Sequence, residues 1–345
     1  MNGAVSSRRQ AIPNSLLSCK FMRVAIVGCG LIGRKRAQAL AGCRLAVCCD
    51  TALDRAEALA RTAGAEPLTD WQAAVTRPDV DIVLVATTHD MLAPIACAAA
   101  AAGKHVLIEK PAARRAAELD PVLAAARRTG ALVRVGFNHR YHRAFRKARE
   151  IFAAGELGEM MFVRGRYGHG GRPGYDKEWR AVPELSGGGE LVDQGMHLID
   201  LARWFLGDFD SVQGRIATCF WNMPVEDNAF LLLGTAAGQT AFLHASWTEW
   251  KNTFSFEIYG RVGKLEIGGL GGSYGVERLA FYRMSPAMGP PETTAWEYPM
   301  ADDSWEVEFA EFLEDIRLGR QPAAGLADAQ AALRVVEKVY QGSAA

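Results

Sequence analysis

Short apolar runs alternate with amphipathic stretches over the first third of the chain. Residues 24–27, 45–49, 81–86, 105–108 and 132–135 are compact apolar segments without polar alternation, the pattern of strands covered on both faces. Between them, 34–40, 52–63, 70–75, 92–102 and 121–129 read as helices, with Gly103 and Gly130 as stops. Repeated strand–helix–strand units predict an α/β fold: a parallel, doubly wound sheet whose ligand lies beyond the carboxyl ends of its strands.

The pattern changes after Arg140. A helix at 145–152 is followed by strands at 160–167, 216–220, 228–233, 240–247, 254–259, 264–267 and 278–282, joined in part by short turns such as Ala237-Gly238. Consecutive strands of this kind predict an α+β unit with a large, mainly antiparallel sheet. Phe254, Phe256 and Ile258 alternate, so one face packs inward, and the broad sheet is expected to pair copies of the chain into a dimer or tetramer. One helix, 190–206, interrupts the strands, and the proline-bearing stretch 286–291 reads as irregular. Helices at 305–318 and 326–340 are expected to return over the first sheet. The predicted organisation is a disordered tail (1–21), a first domain (22–143), a second domain (144–302) and closing helices (303–345).

Composition narrows the partners more than the fold. Lys+Arg and Asp+Glu both number 39 among 345 residues, so no net field favours nucleic acid or an anionic membrane, and small-molecule partners are expected. The seven cysteines form no C-x-x-C pair and fall mostly in apolar elements, which reads as a reduced, cytoplasmic protein. Ser7-Arg8-Arg9 and Leu16-Leu17-Ser18-Cys19 resemble fragments of export signals but lack an apolar core, with Pro13, Asn14 and Lys20 intervening. Translation starting at Met22, or a disordered tail, is the simpler reading than export. No apolar run is long enough to span a membrane.

Candidate chemistry begins where the first strand ends. Gly28, Gly30 and Gly33 follow it in G-x-G-x-x-G spacing and open a helix. Such glycines allow the tight turn, the close approach of backbone to a pyrophosphate, and tight packing of helix on strand. The intervening Cys29, Leu31 and Ile32 complete a dinucleotide-binding loop, where N–H groups and the helix dipole hold the phosphates. Asp50 ends the second strand about 20 residues on, placed to accept from the adenosine ribose hydroxyls and to repel a 2′-phosphate. NAD is therefore the expected cofactor, with NADP left open by Arg55 and Arg61. Thr87, Thr88, Glu109 and Lys110 occupy further strand ends on the same side.

Glu109-Lys110-Pro111, preceded by Ala-Gly-Lys-His-Val, together with Gly187-Gly188-Gly189-x-x-x-Asp193-x-Gly195-x-His197-x-Ile199-Asp200, resembles the glucose-fructose oxidoreductase and inositol dehydrogenase (Gfo/Idh/MocA) family. The likeness runs from about Met22 to the closing helices. It implies a Rossmann domain followed by an α+β substrate domain, and an NAD-dependent oxidoreductase acting on a secondary hydroxyl of a sugar, nucleotide sugar or cyclitol. It assigns catalysis to Lys110, Asp193 and His197, with Lys110 also facing the nicotinamide ribose. Asp193 and His197 are spaced i, i+4, so a helix would put them on one face, with the carboxylate orienting the imidazole. His197 is the preferred base and Lys110 the donor to the reacting oxygen. Asn138, Arg140, Tyr175 and Trp179, with Asp193 and His197, are the expected substrate contacts, since aromatic faces beside polar groups suit sugars.

Some features pull elsewhere. Where many relatives read Thr-Pro-Asn-x-x-His, this chain has Thr87-Thr88-His89-Asp90-Met91-Leu92, leaving the nicotinamide side open. Arg140, Arg143, Arg146, Lys147 and Arg149 form a basic face that could meet a sugar-nucleotide diphosphate. His139 and His142 have no third ligand at metal spacing, so no metal is expected. A redox-assisted glycoside hydrolase is the runner-up function, and a non-catalytic dinucleotide-binding protein the third.

Overall fold

The apolar runs of the first third assemble into one six-stranded sheet in the computed structural model, which describes residues 22–343. The expected tail at 1–21 lies outside the described residues. The strands are β1 (Arg23–Val27), β2 (Arg44–Cys49), β3 (Glu66–Leu68), β4 (Ile82–Val85), β5 (His105–Glu109) and β6 (Val133–Gly136). All pairs are parallel, in the order β3-β2-β1-β4-β5-β6. The order reverses between β1 and β4, which opens a crevice at their carboxyl ends. Helices α1 (Leu31–Gln38), α2 (Leu53–Ala63), α3 (Trp71–Thr76), α4 (His89–Ala101) and α5 (Asp120–Thr129) cover the two faces. Local chemistry sets their ends: Asp70 caps α3 by accepting from the N–H groups of Gln72 and Ala73, and left-handed Gly64 and Gly130 terminate α2 and α5. Three-residue β3 was not expected.

After α6 (Arg143–Ala153) comes β7 (Met160–Gly168); the short helix α7 (Pro183–Ser186) and α8 (Met196–Leu206) precede the remaining strands. These are β8 (Ser211–Ala217), β9 (Asn228–Gly234), β10 (Thr240–Ser246), β11 (Thr253–Gly260), β12 (Gly263–Gly268), β13 (Glu277–Arg283) and β14 (Glu292–Tyr298). They form an eight-stranded sheet in the order β14-β13-β12-β11-β7-β10-β9-β8, antiparallel except where β7 meets β10. Two expectations fail here. The predicted strand at 216–220 runs past the true end of β8, because the Asp227 carboxylate gathers the N–H groups of Cys219, Phe220 and Trp221 into a turn. The predicted single helix at 190–206 opens as a wide π-helical turn, Leu191–Gly195, before α8 begins.

The inner face of this sheet packs on α6 and α8 through Phe145, Phe254, Phe256 and Leu198. Gly165 makes room: a Cβ there would lie 2.9 Å from Phe256 and 3.1 Å from Leu198. The outer face keeps Phe230, Leu232 and Phe242 exposed. Of the closing helices, α9 (Ser304–Leu318) returns to the first sheet as expected, its Phe309 and Phe312 joining Val24, Ile26 and Leu84. The last helix, α10 (Leu326–Ser343), also reaches the first half, where Gln330 Nε2 donates to Ala116 O at 3.2 Å and Asp120 Oδ1 at 2.7 Å, and it packs more extensively on α8 and β8 of the second, with Val339 filling the space left by Gly214. Among the described residues, no helix is long and apolar enough to cross a membrane.

Candidate active site

The turn out of β1 is built as its glycines suggest. Gly28 has φ +97°, and a Cβ on it would lie 2.3 Å from the carbonyl oxygen of Ala86 at the end of β4. A Cβ on Gly33 would lie 1.9 Å from Gly28 O, so only glycine lets α1 sit this close to the strand, while beside Gly30 nothing lies within 4 Å. That open space sits against the uncapped first turn of α1, whose N–H groups have no side-chain acceptor. Asp50 is nearly buried at the end of β2, where it accepts from the N–H of Cys29 at 2.8 Å and of Ala52 at 3.0 Å. Each oxygen keeps a lone pair for a further donor. Cys29 itself is buried, its thiol donating to Cys49 O, and the six described cysteines are free thiols. The residues present thus fit a dinucleotide: a phosphate-sized opening at a helix start, with a carboxylate placed for ribose.

From this loop a cleft of about 490 Å³ runs between the two sheets. Leu31, Ile32, Thr87, Glu109 and Lys110 line its first half; Asn138, Tyr175, Trp179, Asp193 and His197 line the second. Thr88 does not join them. It lies at the start of α4, and its hydroxyl donates to Asp90 Oδ1 at 2.6 Å. Arg140 also departs from expectation: it is buried away from the cleft, with Nε donating to Asp200 Oδ2 at 2.8 Å and Nη1 to Ala323 O at 2.9 Å. Removing it from water is tolerable only with that carboxylate opposite, so its role is architectural.

Asp193, in the π-helical turn, and His197, at the start of α8, line the same cleft, but the carboxylate does not orient the imidazole as expected. That carboxylate meets Lys110 Nζ through Oδ1 and Arg180 Nε through Oδ2, at 2.8 Å for the latter. Lys110 Nζ donates as well to the main-chain oxygen of Asp193 at 3.0 Å. Those two cations outweigh burial and hold the Asp193 carboxyl well below the usual range. His197 is oriented by stacking on His139, with ring centroids 3.7 Å apart and planes 20° apart. Burial first, then the Lys110 charge, pushes the His197 imidazole well below its usual range. It is therefore neutral, able to accept a proton.

His139 was read at sequence level only as a failed metal ligand. It is buried between His197, His142 and Tyr167, its Nδ1 lies 3.2 Å from Asn138 Oδ1, and burial depresses its basicity too. Because the folded state resists protonation of His139, this residue contributes stability above the unfolded imidazole range and withdraws it as pH falls. His139→Phe keeps a stacking ring and removes that proton linkage. We expect its thermal midpoint to fall less between pH 7 and pH 5.5 than that of the unaltered protein, the slopes differing by at most about 1.4 kcal/mol per pH unit. Equal slopes in calorimetry would show that His139 does not titrate on unfolding.

Other cleft residues had weaker signals. Tyr167 ends β7 and Tyr274 comes from the glycine-rich loop after β12; their rings lie 5.4 Å apart. His89, in the position where relatives carry Asn, is buried with its Nδ1 2.8 Å from Ser186 O, its pKa pushed down to about 4 by burial. Glu109 pairs with Arg36 rather than with Lys110. The basic helical face offers no free phosphate site: Arg143 and Arg146 meet Asp303, Lys147 meets Glu150, and Arg149 donates to Trp204 O. No group of three His, Cys, Asp or Glu side chains among the described residues is arranged for a metal ion.

Comparison with known proteins agrees with this architecture. Residues 22–137 match the oxidoreductase family with NAD-binding Rossmann fold, and residues 145–266 the GFO/IDH/MocA C-terminal domain, together more than two thirds of the chain. Inositol 2-dehydrogenase of Salmonella typhimurium is 25% identical over 317 residues, 88% of each chain. Levoglucosan dehydrogenase of Pseudarthrobacter phenanthrenivorans is 32% identical over 185 residues, 53% of this chain and 47% of that one; the match spans about half its length. A levoglucosan dehydrogenase structure in complex with NADH and L-sorbose superposes with a TM-score of 0.84 at 23% identity, covering 94% of this chain and 96% of the other, which speaks to the fold. The chain belongs to the Gfo/Idh/MocA family of oxidoreductases with an NAD-binding Rossmann domain.

Proposed function

We propose that this protein is an NAD-dependent dehydrogenase that oxidises a secondary hydroxyl of an unphosphorylated sugar or cyclitol. The observation that carries the reading is that Lys110, from the end of β5, and His197, from the start of α8, line one cleft beside the glycine loop. NAD supplies the hydride acceptor. His197, kept neutral by burial and by Lys110, takes the hydroxyl proton as the carbon–hydrogen bond breaks. Lys110 donates to the same oxygen, and Asp193 fixes that ammonium through its carboxylate and main-chain oxygens. Tyr175, Trp179 and Asn138 line the part of the cleft where the sugar would lie.

Neutral substrates are favoured over nucleotide sugars because the basic face is already paired with acids and carbonyls. The inositol and levoglucosan dehydrogenases similar to this chain are named for such substrates. No observation favours the hydrolase. We place the enzyme in the cytoplasm, and propose that copies associate through the outer sheet face bearing Phe230, Leu232 and Phe242.

Purified protein incubated with NAD or NADP and a panel of aldoses, inositols, uronates and nucleotide sugars is expected to reduce NAD fastest with a neutral sugar or cyclitol. Absence of reduced nicotinamide with every class would refute the reading. Asp50→Asn keeps an acceptor oxygen for only one of the Cys29 and Ala52 N–H groups, and removes the charge that repels a 2′-phosphate. The ratio of kcat/KM for NAD over NADP should fall about ten-fold, some 1.4 kcal/mol. An unchanged ratio would place the discrimination elsewhere.

A further inference from the structure

Arg180 stands beside the lysine–carboxylate pair and belongs to neither sheet. It comes from the single turn Trp179–Ala181, and its guanidinium lies 4.6 Å from the Trp179 ring, which itself abuts His89 at 4.8 Å. Its Nε occupies the one carboxylate oxygen of Asp193 that Lys110 leaves, at 2.8 Å, and its Nη1 lies 3.8 Å from a second acid, Glu178. The side chain lines the cleft. Asp193 is therefore shared between two cations brought from different elements.

That sharing matters for the lysine. Opposite the full charge of a buried carboxylate, an ammonium holds its proton tightly and passes it to nothing. A second cation on the same carboxylate draws off part of the attraction and adds repulsion of its own. The other charges facing Asp193 do not do this: His89, from α4, is neutral, and so is His197. His169, from the segment after β7, is depressed by burial, and Glu190, one turn back, is a buried carboxyl whose protonated form is favoured.

We propose that Arg180 is a positioning residue that holds Asp193 by one oxygen and so loosens that carboxylate's grip on the Lys110 ammonium, leaving it free to donate to the reacting oxygen. The proposal rests on Lys110 acting in the dehydrogenase reaction, but it concerns the lysine's own proton and is tested without any sugar. The full-length protein is treated with an N-hydroxysuccinimide ester of acetate at about pH 8, and acylation of each lysine is followed by peptide mass spectrometry. Exposed Lys251 and Lys338 serve as references. Arg180→Gln should slow acylation of Lys110 about ten-fold against both references. Arg180→Lys, which restores a cation without the planar fork, should recover most of the rate. Where Arg180→Gln does not bind NADH and so has not folded, Arg180→Met is read in its place. A Lys110 rate that is unchanged or faster would overturn the proposal, because a side chain that merely tethers its loop leaves the lysine's charge alone and, once removed, exposes it. If the slowing is seen and no sugar is ever oxidised, the dehydrogenase reading fails and the charge sharing stands.

Discussion

Lys110→Ala is expected to lower kcat for sugar oxidation about a thousand-fold while leaving the protein folded and able to bind NADH. The lysine lies at the end of a strand whose other residues are buried, but its own side chain is part-exposed in the cleft. Its removal leaves Asp193 still paired with Arg180, so no carboxylate is orphaned. What disappears is a donor aimed at the oxygen that changes charge, an effect worth roughly 10²- to 10⁴-fold. His197→Ala should cost a similar factor. If the two act as a unit, the double variant is barely slower than either single one, whereas independent roles would multiply. Because burial and the Lys110 charge hold the His197 imidazole well below its ordinary range, the acid limb of kcat/KM assigned to it should lie below that range too. Stopped-flow and steady-state measurements of nicotinamide reduction decide the matter. A kcat within five-fold of the parent for Lys110→Ala would remove it from the chemistry.

What the sequence revealed and what it concealed divide along a physical line. The glycine loop, Asp50 and the strand ends carrying Glu109-Lys110 were legible because turn geometry and strand burial are imposed by residues within a few positions. The sheet order in the second half was not. Nothing local in 160–168 or 240–246 says that β7 and β10 pair in parallel, since the ladder joins residues some eighty positions apart. The same holds for side chains whose partners come from afar. Arg140 looked like a sugar contact by its place after a strand, yet Asp200 from α8 claims it. Arg180 is likewise singled out only by the distant carboxylate of Asp193. Asp193 and His197 line one cleft, but the carboxylate goes to Lys110 and Arg180 rather than to the imidazole, partners that no spacing within 190–206 announces. Even β14 escaped: its sequence, Glu-Thr-Thr-Ala-Trp-Glu-Tyr, is polar enough for a loop and is a strand because β13 offers an edge.

Arg36 shows how much of the stability is hidden in such distant pairings, and Arg36→Met should be the most destabilising single change outside the apolar core. The guanidinium is 1% exposed on α1; Nε donates to Glu109 Oε1 at 2.7 Å, Nη1 to Glu308 Oε2, and the plane lies 4.4 Å from the Trp305 ring. Gly136 at the end of β6 leaves the room, since a Cβ there would lie 2.6 Å from the guanidinium. One cation thus bridges a carboxylate from β5 and another from α9, tying the closing helix to the first sheet. Without it, two buried acids face each other unpaired, which costs about 3–5 kcal/mol. Burial already raises the Glu308 carboxyl despite its partner. A carboxyl raised in the folded state contributes stability below its unfolded range and loses it as pH rises, so the deficit of Arg36→Met should be largest at pH 8 and shrink toward pH 5. Arg36→Lys, which cannot span both acids with a fork, should recover only part. Denaturant and thermal unfolding across that range test the claim: a loss under 1 kcal/mol, or one independent of pH, would show that the cluster is dispensable. Because Glu109 adjoins Lys110, the same variant should also lower kcat, coupling the anchor of α9 to the geometry of the cleft.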